Sequence, residues 1–332
     1  MNYPLPIRIL QLANRSFRRP IITVGLISLA ILFTLFTATG TLFPEQTPPG
    51  YESSLELTGQ FLVFTLLPPY LLGCLVAQVR ATPGIVDALT SQVDPGQRQL
   101  LERLDRVDYW YTGLLAGLVN GLVANVPWLI LSFDPGDPVF VFSLAMIFAQ
   151  CFTWSLVGLL LVVALHNALV FYRVGKVVDI DLFDLDRLNP FGQSALRSML
   201  IVVGALAITP LQALDQEFRW INYQNAVLVG VPAGILLMLL PIWPVHRQIR
   251  CHKRQAMQRV DVEINNTPRD LDDASLTRLN ALLERRSHIA HCRNWPLDLS
   301  LFTRIVFYVL IPPLAWAGAA LVELALDSYL SG

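Results

Sequence analysis

Residues 112–138 read TGLLAGLVNGLVANVPWLILSFDPGDP, an uncharged apolar run of 21 residues closed by an acidic turn. At about 1.5 Å per residue, a helix of this length crosses a hydrocarbon core of roughly 30 Å. The segment Asp134-Pro135-Gly136-Asp137-Pro138 cannot continue a helix, because proline lacks the donor and glycine and aspartate favour turns. Another apolar run follows at once, so the two fold as an antiparallel pair about residue 135. Arg98, Arg103 and Arg106 precede the pair, Arg173 and Lys176 follow it, and the turn has no basic residue. Loop basicity sets membrane orientation, so the turn is expected outside.

The same alternation extends in both directions. Arg8, Arg15, Arg18 and Arg19 precede the run 21–43, and the connector 44–56 holds three glutamates and no basic residue. The run 57–79 returns to Arg80 and its basic neighbours. Arg187 and Arg197 precede a fifth run, and a lone Arg219 lies on the far side before the sixth. Ten basic residues then fall between Arg247 and Arg293, ahead of the last run, 301–326. Twenty-two of the 24 Lys and Arg thus lie on one side, with Arg219 opposite and Arg304 at a boundary. This predicts an all-α polytopic membrane protein with seven spans, its N-terminus inside and its C-terminus outside. The expected divisions are a basic amphipathic segment at 1–20, a six-helix region at 21–244 with inner loops at 80–110 and 172–197, an inner hairpin at 245–300, and the seventh span with a short outer tail at 301–332. A plasma membrane or bacterial inner membrane suits this pattern.

Composition agrees, with 54% hydrophobic and 15% charged residues against about 25% charged in soluble domains. The first apolar run is too long for a signal peptide and is read as an uncleaved anchor. Cys74 and Cys151 fall within spans and Cys251 and Cys292 inside, which excludes an external disulfide framework. The basic face matches an anionic inner leaflet, so the charges need no nucleic-acid partner.

The hairpin is read from Ile249, Ala256 and Val260 on one arm and Leu276, Leu279, Leu283 and Ala290 on the other, across the turn-rich residues 265–270. Spacings of three, four and seven predict two paired amphipathic helices in the manner of a coiled coil, each about 30 Å long. Trp243-Pro244 and Trp295-Pro296 flank it at the membrane boundary. In the loop 80–110, residues 97–107 read as a surface helix carrying Leu100, Leu101, Leu104 and Val107.

Several residues are candidates for function. Gly113, Gly117 and Gly121 form a small-residue face, repeated more briefly by Gly230 and Gly234, suited to packing within the chain or to a homo-oligomer interface. Asn120 and Gln150 fall at matching depths about the turn, where two amides bond to each other or line a polar path. Pro68 and Pro69, Pro232, and Pro312 and Pro313 sit near mid-span in three helices. Broken helices at one depth suggest a lined cavity, with simple kinks as the alternative. No Asp, Glu, Lys or Arg occupies a span centre, which argues against an ion-coupled pump. On the inner hairpin, Cys251, His252, His288 and Cys292 stand at similar heights but in no standard finger spacing, so they read as ordinary polar residues of the hairpin and no cofactor is expected, with zinc bound between the arms as the alternative. Asp179, Asp181, Asp184 and Asp186 lack the paired arrangement of a transferase metal site, and capping and solvation account for them. Nothing points to an enzyme. The sequence therefore suggests a channel- or transporter-like protein with a weakly polar path and an assembly or gating hairpin. The alternative is a non-transporting scaffold or sensor whose hairpin docks a cytoplasmic protein.

Overall fold

The computed structural model describes residues 17–44, 53–105, 109–126, 139–213, 220–267 and 273–295, together with residues 107, 303, 307 and 314. Among these residues the chain is helical and contains no strand. The elements are α1 (Pro20–Ala38), α2 (Ser54–Thr90), a single turn α3 (Gln99–Glu102), α4 (Trp110–Ala124), α5 (Val139–Val174), α6 (Asn189–Ile208), α7 (Trp220–Asn266) and α8 (Asp273–His291). Five of them, α1, α2, α5, α6 and α7, are long and apolar enough to cross a membrane, and α4 is a shorter apolar helix. Their length and composition are compatible with a multi-pass membrane protein. The seventh run, with Pro312 and Pro313, lies outside the described residues apart from isolated positions.

Local chemistry explains where the helices begin and end. Pro20 opens α1, where its missing donor costs nothing. The helix closes on Gly40 at φ 68°, with Gly40 N–H donating to Thr37 O and Thr41 N–H to Phe36 O. That pair of bonds is the Schellman stop, and the left-handed residue it requires is the glycine. Ser53 caps α2 by accepting from the Glu56 amide at 3.2 Å. Pro190 sets the first turn of α6.

Packing forms three apolar layers along the long helices. At one end Phe36, Leu42, Leu57, Phe61, Phe142 and Met146 join α1, α2 and α5, with Phe61 edge-on to Phe36 and Phe142. Val63, Leu71, Leu75, Leu159 and Val163 fill the middle. At the basic end Leu89, Leu101, Phe171, Val174, Leu188, Phe191, Val245 and Ile249 form the third layer. The loops 80–110 and 172–197 both contribute to it, so they are walls of a core rather than free connectors. The expected surface helix at 97–107 is instead broken into α3 and flanking 3-10 turns. Leu101, Leu104 and Val107 are buried, and their burial governs that local path more than helical periodicity does.

Two features of the hairpin emerge. Its first arm is not a separate helix, because α7 runs unbroken for 47 residues through Pro232, Pro241 and Pro244, about 70 Å at helical rise. The face on which α8 packs differs from the one expected. Val260, Leu282 and Ile289 form its core with Ala256, Met257 and Ile264, whereas Leu276 and Leu283 are exposed. Ile249 belongs to the basic-end layer instead. The arms are further tied by an Arg286–Asp261 pair at 2.7 Å. Lys253 donates to Ala290 O at 2.8 Å and Cys292 O at 2.9 Å, satisfying carbonyls at the end of α8 that have no helical partner.

Candidate functional site

The small-residue face of α4 meets a definite partner. Gly113, Gly117 and Gly121 are buried against α5, where a Cβ on Gly117 would lie 2.0 Å from Trp154 O and one on Gly113 2.4 Å from Gly158 O. The two backbones are in direct contact along this seam, which only hydrogen side chains permit. Gly230 and Gly234 face Leu206 and Val202 of α6 less tightly, with the nearest atoms at 3.2 Å.

The expected amide pair is rearranged by one helical step. Gln150 accepts from Asn125 Nδ2 at 3.2 Å, and the same amide donates to Gly121 O at 2.6 Å. Asn125 is fully buried, while Asn120 is exposed beside the glycine face. Nor do the described prolines break their helices. Pro68 and Pro69 are buried within continuous α2, and Pro232 is exposed within continuous α7. Asn120 and Pro232 are thus exposed and Pro68 and Pro69 buried, while Pro312 and Pro313 lie outside the described residues.

On the hairpin, Cys251 and His252 are exposed. His288 faces Glu284 at 3.9 Å, and the Cys292 thiol donates to His288 O at 3.2 Å. Lys253 lies against the end of α8 through Ala290, Cys292 and Asn294. Among the described residues no three His, Cys, Asp or Glu side chains stand together as metal ligands. The aspartates serve structure: Asp181 caps the Phe183 amide, Asp184 pairs with Arg187 at 2.6 Å and Asp186 with Arg293 at 2.7 Å. The last contact ties the loop 172–197 to the base of the hairpin. His166, near the end of α5, bonds Arg103 O at 2.7 Å.

One polar cavity was not foreseen. It measures about 20 Å³ and lies between α2, α5 and α6 near the basic end, lined by Gln78, Thr82, Asn167, Ser194, Arg197 and Ser198, with Ile85, Leu104 and Phe171 as apolar walls. Gln78, Thr82, Ser194 and Ser198 are buried. Thr82 and Ser198 each donate to the carbonyl four residues earlier, Gln78 O and Ser194 O. Arg197 Nη1 and Gln78 Oε1 are buried without a hydrogen-bond partner among the described residues. The sequence held one clue. Pro190 fixes the start of α6 at Asn189, which places Arg197 two turns inside a helix rather than in the loop. No family model, curated protein or solved structure matches this chain.

Proposed function

We propose that this protein is a multi-pass membrane scaffold or sensor, oriented with its basic end in the cytoplasm, whose α7–α8 arm presents a docking surface to a cytoplasmic protein. The continuity of α7 carries this reading. A helix continuous from the apolar bundle into the arm couples movement of the bundle to α8, with Pro241 and Pro244, which lack amide donors, as the points at which it bends most easily. The basic-end layer fixes the base of that lever through Val245 and Ile249. Beyond the layer, Val262, Leu276 and Leu283 leave apolar surface exposed on the arm, the kind of surface that a partner buries.

The channel- or transporter-like reading keeps one observation in its favour, the polar cavity near Arg197. Its expected amide pair is replaced by the Asn125–Gln150 bond, and the described prolines lie in continuous helices. Purified protein in liposomes separates the two readings. The scaffold reading expects ion and solute flux at background, together with discrete photocrosslinked adducts from Val262, Leu276 and Leu283 in native membranes. Flux above background without such adducts refutes it in favour of transport.

A further inference from the structure

We infer that the cavity between α2, α5 and α6 is a binding site for a small monovalent anion of the size of chloride, held by Arg197. The argument begins with charge. Arg197 keeps its guanidinium charge in any ordinary environment, its Nη1 is buried without a partner among the described residues, and no carboxylate lines the cavity. Arg197 as a whole is half-buried, but its Nη1 is desolvated, and a counter-ion compensates a desolvated cation where a neutral water satisfies only the donor. The other lining groups are compatible with an anion. Ser194 supplies a hydroxyl and Asn167 a carboxamide, and the Gln78 amide can present its NH2 after a half-turn about its last bond, which exchanges oxygen and nitrogen.

Size narrows the ligand. The cavity's 20 Å³ only modestly exceeds the roughly 10–15 Å³ needed to seat one water-sized sphere. A single monatomic anion fits this volume. The site ties three helices at the level where the membrane bundle meets the basic-end layer, since Phe171 borders the cavity and also belongs to that layer. Anion occupancy accordingly stabilises this junction. The inference stands apart from the scaffold reading, since binding is measurable whether or not the arm has a partner.

The test is thermal unfolding of the full chain in nanodiscs of zwitterionic lipid, titrating sodium chloride against sodium gluconate at constant ionic strength. A saturable rise in melting temperature with chloride is expected, by linkage of binding to the folded state. Arg197→Gln should abolish that dependence. Ser194→Ala, a milder change, should move the titration midpoint several-fold higher and keeps the test decisive should the arginine variant not fold. Excess chloride-35 line broadening in the wild-type protein, reduced by Ser194→Ala, is the independent readout. Superimposed wild-type curves in chloride and gluconate, or a chloride effect unchanged in both variants, overturn the inference. So does a phosphate effect equal to that of chloride, or a chloride effect erased by anionic lipid, either of which assigns the site to a phosphate group.

Discussion

Replacing Gly117 by alanine should destabilise the protein by about 3 kcal/mol, an estimate that follows from the α4–α5 seam. The added methyl carbon would lie 2.0 Å from Trp154 O and 2.6 Å from Trp154 C, against about 3.3–3.6 Å for an ordinary carbon–oxygen contact. Neither atom belongs to a flexible side chain, so the helices must part by roughly 1 Å or more to restore that spacing. Overpacking costs about 1–3 kcal/mol, and a backbone obstacle puts this site at the upper end. Separation also weakens the close contacts at Gly113, Gly121 and Gly158, for which about 1 kcal/mol is a fair allowance. Against these losses, alanine gains about 1 kcal/mol in helix propensity. Gly84 supplies the control, because it lies inside α2 with nothing within 4 Å of an added Cβ. Gly84→Ala should stabilise by about 0.5–1 kcal/mol. Reversible unfolding in mixed micelles, followed by tryptophan fluorescence, measures both, and Gly121→Ala should fall between them because its nearest contact is 2.7 Å. A Gly117→Ala variant as stable as wild type, or a Gly84→Ala variant that loses as much, refutes the close-backbone argument.

Asn125→Leu should cost about 1–2 kcal/mol by leaving the half-buried Gln150 carboxamide without its donor, whereas Asn120→Leu should stay within about 0.5 kcal/mol of wild type; equal losses in the same unfolding assay would contradict the observed pairing. Lys253→Met should fray the end of α8 at a cost of about 1 kcal/mol, seen as faster amide exchange near Cys292, and unchanged protection there would deny the capping role. Cys251 is exposed on the arm, so an impermeant thiol reagent should label it only after the cytoplasmic side is opened. Labelling from outside intact cells would reverse the proposed orientation.

Length and apolarity alone fix which segments can span a bilayer, and Pro20, Ser53, Gly40 and Pro190 mark helix ends because their backbone constraints are local. Glycines at every fourth position likewise announce that another backbone must approach α4. What periodicity supplies for each helix is an angle about its own axis. It does not supply the rotation of the neighbour. The short turn at 134–138 already names α5 as that neighbour, but which of its residues meet the glycines, Trp154 and Gly158, was decided by packing. So was the choice of Asn125 over Asn120 for Gln150, since five residues place the two asparagines on well-separated faces of α4 and only docking fixes which face meets α5. The same freedom turned Leu282 and Ile289 inward on α8 and left Leu276 and Leu283 outside. Continuity of α7 through three prolines depended on surroundings that a proline-by-proline reading omits. The Arg197 cavity is the clearest case, because Gln78, Asn167 and Arg197 are far apart in sequence and only the docking of three helices gives their polar groups a common, partly unsatisfied space.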